Sequence, residues 1–428
     1  MKLENFNNLI ELFFYQTEKQ NPKSILLQWL NPNNKKSFTW EETKLNIFKL
    51  SKTLKENVKE GDRCLLVSEN RPEWFISDLA IMLSGAITVP AYTTYTNNDY
   101  KYLIEDCEPK IVIVSNNDML KKLNTTINEK NFIKKIITFD EVAKAYHNLN
   151  IDNKEKYLDF NSIIKNDLSE KDKIQNLNLK RSSTACIIYT SGTGGNPKGV
   201  ILSHGGILNN LEGACEIMKP LIDSRPVFLT WLPLSHSYEH TVQFAQIAVG
   251  AKVFYAEKIE KLLDNMAEAK PTIMTAVPRF YQNLYNKINI NMKKQTGFKA
   301  KLIQETIRLG KKKLLKEKMT FFEKLLNLML NVLVRKKIRK QFGGKLRAFV
   351  SGGGALDKEI GEFLNSIGLP TLQGYGLTET SPVVSCNPIH NIKVETVGPP
   401  FKGNKIKISE NGEILVKGEN VMLGYWNK

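Results

Sequence analysis

A loop rich in glycine and hydroxyl groups is the first stretch of the sequence whose residue types could do chemistry. Residues 189–199 read YTSGTGGNPKG, with hydroxyls at Thr190, Ser191 and Thr193, glycines at four positions and an ammonium group at Lys198. Glycines let the backbone approach an anion closely, and successive backbone N–H groups form an anion-binding concavity. The hydroxyls and the lysine add donors and charge, so the loop predicts a phosphate-binding site.

Two other interpretations explain this loop less well. A plain solvent-exposed turn does not require so many donors in so few residues. A Walker-type phosphate loop has the pattern G-x-x-x-x-G-K-[ST], whereas here Pro197 precedes Lys198 and Gly199 follows it. The sequence therefore predicts a phosphate loop of a different kind.

The elements around the loop predict an α/β protein. The loop follows the apolar run ACIIYT and precedes a strand-like and then helical segment, so it lies where α/β sheets present ligands. Thr39 is a predicted helix N-cap, and Asn411 and Gly412 predict a hairpin. Short β-rich runs alternate with helical or polar stretches, which is typical of mostly parallel sheets. The other runs are SILLQWL, RCLLVSE, AITVPAY, KIVIVSN, PVFLTWLP, AKVFYA, PTIMTAVP and LRAFVSGGG.

Composition narrows the class of protein. At 428 residues, with 42% apolar and 25% charged residues, the chain predicts a globular protein of two or three lobes. Its five cysteines form no C-x-x-C pair, which argues against a disulfide framework or a zinc site and favours a cytoplasmic compartment. The N-terminus lacks the uninterrupted apolar region of a signal peptide. No stretch reaches the roughly 18 apolar residues that a membrane span needs.

Nearly all of the net charge of +17 lies in one segment. Residues 291–347 hold 14 Lys and 4 Arg against 3 Glu, a net charge of +15. No nucleic-acid-binding signature accompanies this charge, so we expect no nucleic acid partner. Either the segment lies peripherally on an anionic membrane, at its inner face, or a helix docks its apolar stripe on its own domain and leaves a basic face in solvent. The apolar residues at helical spacing are Phe322, Leu325, Leu326, Met329 and Leu333.

Seven motifs in fixed order resemble the adenylate-forming (AMP-binding) superfamily. The loop, extended to YTSGTGGNPKGVILSH, is similar to that family's phosphate-loop signature, YTSGTTGxPKG. It is followed by LPLSHSYEH, VPRFYQNL, VSGGGAL, QGYGLTETSP, TVGPPF and GEILVKGENVMLGYW. Within the family, the LPLSH wording and the basic insertion ahead of SGGGAL resemble the long-chain fatty acyl-CoA synthetase branch.

The resemblance implies ATP-dependent activation of a fatty acid. The carboxylate attacks the α-phosphate of ATP to give acyl-AMP and pyrophosphate, and the thiol of coenzyme A then displaces AMP. Such a site must hold two anions together and neutralise the charge that builds up on the phosphates. The expected ligands are therefore a fatty acid, ATP, Mg²⁺ and coenzyme A.

The family's site residues carry over onto matching positions of this sequence. His236 corresponds to the histidine near the reacting carboxylate, and Thr378 is expected to reach the α-phosphate. Glu379 is the expected Mg²⁺ ligand together with Thr190, and Tyr375 is expected to stack on adenine. The other expected nucleotide- or acyl-binding residues are Ser191, Gly192, Thr193, Gly194, Gly195, Lys198, Gly352, Gly353, Gly354, Gln373, Gly374 and Gly376.

Two departures from the family pattern affect these expectations. Gly194 replaces the family's second loop threonine and removes one hydroxyl, whose charge-assisted hydrogen bond would contribute about 1.5 to 3 kcal/mol; either ATP binding is weakened, or a backbone N–H or a water compensates. The chain ends at GYWNK, ahead of the family's ribose-binding aspartate, hinge and C-terminal domain, so we expect a truncated large domain that a separate chain could complete. His240, four residues after His236, is expected near the gate of the acyl tunnel.

The expected fold is two mostly parallel α/β lobes and a small β-barrel-like lobe. The predicted boundaries are 1–182, 183–385 with the basic helical insertion 291–347, and 386–428. Three functions stay open: a long-chain fatty acid–CoA ligase that is incomplete as this chain, a non-catalytic nucleotide- or acyl-binding module, and an adenylating enzyme for another carboxylate such as an amino acid.

Overall fold

The apolar runs of the sequence form the strands of two large sheets. The computed structural model describes residues 2–33, 35–141, 154–173, 178–190, 195–222 and 225–428. The strands are β1 (Ile25–Trp29), β2 (Ser37–Thr39), β3 (Arg63–Val67), β4 (Ile87–Ala91), β5 (Ile111–Val114), β6 (Lys135–Thr138), β7 (Tyr157–Asp159), β8 (Thr184–Thr190), β9 (Lys198–Ser203), β10 (Val227–Thr230), β11 (Lys252–Tyr255), β12 (Ile273–Ala276), β13 (Ala348–Ser351), β14 (Thr371–Gly376), β15 (Val383–Cys386), β16 (Lys405–Ile408), β17 (Ile414–Lys417) and β18 (Gly424–Tyr425).

Helices connect most of these strands. They are α1 (Leu9–Lys19), α2 (Trp40–Lys55), α3 (Pro72–Leu83), α4 (Asn97–Cys107), α5 (Asn117–Glu129), α6 (Phe160–Ile163), α7 (His204–Met218), α8 (Ser237–Ala248), α9 (Leu262–Ala269), α10 (Pro278–Lys293), α11 (Gly297–Leu314), α12 (Phe321–Leu330), α13 (Lys336–Lys340) and α14 (Lys358–Ser366). A π-helical turn, Asn331–Arg335, joins α12 to α13.

The strands, the helix cap and the hairpin predicted from local sequence are present in the structure. Each of the nine predicted β-rich runs contains a strand. Thr39 caps α2 through a capping box, because its hydroxyl accepts the Glu42 N–H at 3.2 Å while the Glu42 carboxylate accepts the Thr39 N–H at 2.8 Å. The turn containing Asn411 and Gly412 joins β16 to β17 as an antiparallel hairpin.

Parallel pairing dominates both large sheets. Sheet 1 has the order β18-β9-β8-β4-β3-β5-β6-β7, and sheet 2 has the order β15-β14-β13-β12-β10-β11-β1-β2. The strands from β8 to β7 in sheet 1, and from β14 to β1 in sheet 2, pair in parallel. The antiparallel strands β9 and β18, β15, and β2 lie at the edges. The predicted mixed α/β class is confirmed.

The two sheets exchange strands along the chain. Strands β1 and β2 come from the N-terminal third yet complete sheet 2, and β8 and β9 complete sheet 1. The predicted connection around 150–182 also supplies β7, the far edge of sheet 1, with Phe160 and Ile163 buried behind it. The predicted lobe boundaries at residues 182 and 385 stay predictions, and each of the two sheets contains strands from both sides of residue 182.

The C-terminal residues do not form the expected barrel-like lobe. Within residues 386–428, all of which the structure describes, β16 and β17 form a two-stranded sheet, and β18 pairs with β9 at the edge of sheet 1. Two strands are too few to close a barrel. This region instead ties the end of the described chain to the strand that follows the phosphate loop.

The largest hydrophobic core lies between the two sheets. It takes residues from the facing sides of both sheets and from α1, α2, α3, α7 and α8. Two smaller cores cover the outer faces, one beneath α4 and α5 on sheet 1 and one beneath α9, α10 and α14 on sheet 2. Because α7 and α8 pack between the sheets, the start of α8 is held firmly where the sheets meet.

The basic segment is helical, but the docking interpretation of its apolar stripe is wrong. Of the five apolar residues at helical spacing, Phe322, Leu325, Met329 and Leu333 are exposed to solvent, and Phe322 is 79% exposed. Helical periodicity identifies a common face but not what that face contacts.

The five cysteines are free thiols, and all but Cys215 are buried. Across the described ranges, no helix is both long and apolar enough to cross a membrane.

Candidate active site

The site lies where the carboxyl ends of the sheet 2 strands meet the end of β8. The parallel strands β10, β12, β13 and β14 end at one edge of sheet 2, and ligands of open α/β sheets bind at such edges. A cavity of about 730 Å³ opens there. Its volume falls within the roughly 300 to 1,000 Å³ of ordinary small-molecule sites.

Most of the predicted site residues that the structure describes line this one cavity. They are Thr190, His236, Gly352, Gly353, Gly374, Tyr375, Gly376, Thr378 and Glu379. Gly195, Lys198, Gly354 and Gln373 do not line it. Ser191, Gly192, Thr193 and Gly194 lie outside the described residues.

A β-hairpin holds the two ends of the phosphate loop. Thr190, the last residue of β8, pairs in register with Lys198, the first residue of β9. Gly195 has a backbone φ of +96°, which favours glycine. The Lys198 ammonium lies 5.2 Å from the centroid of the Tyr425 ring, a cation–π distance. The strand after the loop is therefore fixed from the far end of the chain.

Tyr425 links that strand to the predicted metal ligand. Its hydroxyl donates a hydrogen bond of 2.9 Å to Glu379 Oε1. Burial and this hydrogen bond raise the pKa of Tyr425, so the phenol keeps its proton. The Met422 N–H donates to the Glu379 carbonyl at 2.9 Å and fixes the backbone as well. Tyr425 lies in the motif GEILVKGENVMLGYW, whose residue types alone do not indicate this contact.

His236 occupies the start of α8 in one tautomer. Its Nδ1 accepts the backbone N–H of Tyr238 at 3.1 Å and so caps the helix. Burial lowers the pKa of His236 below its ordinary value, so the ring is neutral at pH 7. Since Nδ1 carries the accepting lone pair, the proton lies on Nε2. His236 therefore offers a single N–H donor from the wall of the cavity.

Thr378 is connected to the same helix end. Its hydroxyl lies 3.0 Å from the hydroxyl of Ser237, the first residue of α8. Thr378 and Glu379 share a short 3-10 turn that follows β14. This hydrogen bond holds Thr378, the residue predicted to bind the α-phosphate, next to the start of α8, where His236 is predicted to bind the substrate carboxylate.

Close packing explains the glycine next to Tyr375. A Cβ atom on Gly376 would lie 1.9 Å from the carbonyl oxygen of Pro382, so a larger residue would displace the backbone of β14 or β15. Tyr375 itself pairs with Ser385 across these antiparallel strands. The ring at the cavity wall is thus supported by two strands.

The side chain of Gln373 holds neighbouring backbone segments in place and does not line the cavity. Its amide nitrogen donates to the carbonyls of Val394 and Thr396 at 3.1 and 3.2 Å, and its oxygen accepts the Leu356 N–H at 2.6 Å. The expected contact of Gln373 with a ligand stays a prediction, since these bonds occupy the side chain.

Part of the cavity wall is apolar. It is formed by residues of α7, α8 and sheet 2, namely Ala214, Ile217, Met218, Val242, Ala245, Phe228, Ile273 and Val350. Apolar walls favour a hydrocarbon group because its burial removes apolar surface from water. The motifs did not identify these residues, since ordinary core residues have the same apolar types.

His240 lies in the protein core and does not line the cavity. Its Nε2 lies 2.8 Å from Asp78 Oδ2, and both side chains are fully buried. Burial alone would lower the pKa of His240, but the Asp78 carboxylate raises it to about 10. The expectation of a tunnel gate at His240 is not supported by this placement; the residue joins α8 to α3.

A metal ion at this site would need ligands from the substrate. No group of three or more His, Cys, Asp or Glu side chains suited to a metal occurs in the part of the chain that the structure describes. Mg²⁺ commonly uses one or two carboxylates together with substrate phosphates. Glu379 and Thr190 line one cavity beside the phosphate loop and fit that donor set.

Comparison with known proteins gives a consistent result. The family model described as AMP-binding enzyme matches residues 14–426. The long-chain-fatty-acid–CoA ligase FadD15 of Mycobacterium tuberculosis is 30% identical over 386 residues, which cover 86% of this chain and 60% of that protein. Long chain acyl-CoA synthetase 3 of Arabidopsis thaliana is 28% identical over 91% of this chain and 61% of its own length. The chain thus spans about 60% of the length of these relatives.

Solved structures share the fold at low sequence identity. The N-terminal domain of FACL13 from Mycobacterium tuberculosis, solved with an inhibitor, has a TM-score of 0.72 at 15% identity and covers 99% of this chain and 92% of that one. The anthranilate CoA ligase AuaEII, solved with anthranoyl-AMP, has a TM-score of 0.74 at 18% identity and covers 100% and 72%.

Proposed function

Because the chain belongs to the AMP-binding enzyme family, we propose that it is the large domain of an ATP-dependent, AMP-forming ligase that activates a long-chain fatty acid for transfer to coenzyme A. Relatives at about 30% identity bear the name of long-chain fatty acid–CoA ligase. That activity belongs to longer proteins, and its assignment to this chain is our proposal.

One observation carries the proposal: a single cavity is lined by both polar and apolar side chains. His236, Thr378 and Glu379 line it together with apolar residues of α7, α8 and sheet 2. An amphipathic substrate with a carboxylate head and a hydrocarbon tail has the same two-part character. An amino acid does not need so large an apolar wall.

The described residues supply orientation and charge for the first half-reaction. The Nε2–H of His236 is the donor for one oxygen of the fatty carboxylate, which leaves the other oxygen to attack the α-phosphorus of ATP as the bond to pyrophosphate breaks. The Thr378 hydroxyl, steadied by Ser237, is the donor for the α-phosphate. Fixed donors of this kind stabilise developing charge without reorganising during the reaction.

We assign the remaining ligands in the same way. Tyr375 stacks on adenine, and Gly352, Gly353, Gly374 and Gly376 line the same cavity beside it. Thr190 and Glu379 hold Mg²⁺, which when bound neutralises charge on the phosphates. In the second half-reaction the coenzyme A thiol attacks the acyl carbon and AMP leaves. Lys198 and the loop of residues 191–194 bind the β- and γ-phosphates.

The test combines the full chain with ATP, Mg²⁺, hydroxylamine and either palmitate or a set of amino acids. Fatty-acid-dependent pyrophosphate release together with a fatty hydroxamate supports the proposal, because hydroxylamine traps the acyl-adenylate. Hydroxamate from amino acids alone would assign a different carboxylate. Binding of ATP and palmitate with neither product would fit a non-catalytic module or a ligase domain that is incomplete as this chain. That the chain is truncated, and that a separate chain completes it, stay predictions.

A further inference from the structure

Helix α12 and the π-helical turn that follows it expose an apolar face to solvent. At about 100° per residue, the exposed positions fall on one side of the helix, within roughly 120°. Phe321 and Phe322 are 76% and 79% exposed, and Leu328 is 67% exposed. We call this set the outer face, and its members are Phe321, Phe322, Leu325, Leu328, Met329 and Val332.

The opposite side of α12 holds the helix in this orientation through polar contacts. Glu323 accepts hydrogen bonds of 2.8 Å from both Arg308 and Lys312 of α11. Asn327 Oδ1 accepts the Arg335 guanidinium at 2.9 Å. A surface helix ordinarily packs its apolar stripe inward, whereas here Leu330 is the only apolar residue of α12 that is buried, and it shares the inward side with these polar contacts. The outward position of the apolar side chains is therefore built into the packing.

Arg335 anchors the end of this unit to the rest of the protein. It is 7% exposed, and its guanidinium donates to the carbonyls of Ser366 and Thr306 at 2.8 Å each. Ser366 ends α14, which packs on sheet 2, and Thr306 lies on α11. The outer face is thus carried on a support that is joined to the sheet of the candidate active site.

Lysines flank the outer face. Lys318, Lys324, Lys336 and Lys337 are exposed, and none of them forms an ion pair within the described ranges of the chain. They belong to residues 291–347, whose net charge is +15. An apolar strip with free ammonium groups beside it is complementary to a surface that is apolar inside and anionic at its boundary.

We propose that the outer face inserts into the headgroup and acyl boundary of an anionic lipid bilayer, with the flanking lysines among the lipid phosphates. Amphipathic helices with basic residues bind anionic bilayers in this way, and lysine side chains reach the headgroups while their stems stay in apolar surroundings. A second copy of the chain fits less well, because a two-fold contact would set this basic surface against itself. The inference does not depend on the reaction that the cavity catalyses.

Vesicle flotation of the full chain tests the proposal. The protein should float with phosphatidylcholine–phosphatidylglycerol vesicles at low salt and should float far less with phosphatidylcholine alone or at high salt. Replacing both phenylalanines, F321S with F322S, should lower the bound fraction by about tenfold or more. The substitution I259S is the matched control, since Ile259 is 68% exposed but lies outside the basic segment; it should bind like the native chain.

Charge reversal separates the electrostatic part. The triple variant K324E, K336E, K337E should lose the preference for anionic vesicles while its thermal unfolding stays close to native, because all three side chains are exposed. Failure of the native chain to float at low salt would overturn the proposal. So would equal flotation of the double phenylalanine variant, or a dimer in sedimentation that the same two substitutions abolish.

Discussion

His236 gives the sharpest prediction, because its two ring nitrogens have separate tasks. Nδ1 caps α8 by accepting the Tyr238 N–H at 3.1 Å, and Nε2 is left to donate into the cavity. His236→Ala removes both functions. His236→Asn keeps a good N-cap acceptor but shortens the side chain, so it removes only the donor that faces the substrate.

The two variants should therefore differ in stability but not in activity. Loss of an N-cap costs about 1 kcal/mol, so H236A should unfold at lower urea concentration while H236N stays near native. A hydrogen bond to a charged group contributes about 1.5 to 3 kcal/mol, which corresponds to a loss of about 10- to 150-fold in palmitate-dependent pyrophosphate release for both variants. Urea denaturation and the pyrophosphate assay check the two parts separately.

Acid adds a directional test of the tautomer. Because burial lowers the pKa of His236, the ring is neutral at pH 7 and gains a proton only below its ordinary range. Protonation fills Nδ1 and removes the acceptor for Tyr238. Activity should thus hold between pH 7 and 8 and fall on acidification. Native activity in H236N, or native stability in H236A, would refute the assignment.

Three further predictions follow from other contacts. In the variant Tyr425→Phe, Glu379 loses its hydrogen bond and is held less firmly, so the affinity for MgATP measured by calorimetry should fall by about 1 kcal/mol. Adding Tyr425→Phe to the variant Glu379→Gln should lower the affinity little further. Burial lowers the pKa of His204 to about 4, so the unfolded chain binds a proton near pH 6.5 that the folded chain refuses. The buried neutral His204 therefore costs the folded chain nothing above pH 6.5, but on acidification it lowers the free energy of unfolding, by about 3 kcal/mol at pH 4. In urea denaturation, the variant His204→Gln should lose about 3 kcal/mol less than the native chain over the same change of pH. Burial raises the pKa of Glu239 to about 8. The folded chain therefore keeps a proton on Glu239 that the unfolded chain releases, so the stability that this proton contributes to the folded state is complete below pH 4.5 and is lost as pH rises through 8. Glu239→Gln should consequently gain stability over native protein between pH 6 and 9; an unchanged difference would contradict the raised pKa.

Much of the fold could be predicted from local sequence. Thr39 and the nine apolar runs have the expected structures because capping and strand formation depend on neighbouring residues. The exchange of β1 and β8 between the sheets depends on pairing between distant segments, and no local pattern records it.

The site shows the same limit. Motif residues such as Thr378 and Glu379 line one cavity, but Gln373 of the same motif donates to the backbone instead. His240 lies close to His236 in sequence, yet Asp78, 162 residues away in the chain, holds it in the core. The sequence left two interpretations of the apolar stripe of α12 open, and contacts between distant segments, such as those of Glu323 with α11, decide which side of the helix faces inward.

Binding of a stable acyl-adenylate mimic tests the central claim most directly. Palmitoyl sulfamoyl adenosine carries the adenine and the acyl chain in one molecule, so the proposed cavity should bind it more tightly than ATP or palmitate alone in titration calorimetry. Substitution of Ala214 in the apolar lining by Phe should weaken the palmitoyl mimic but not ATP. No binding of the mimic, or equal binding of a mimic that carries an amino acid, would contradict the account.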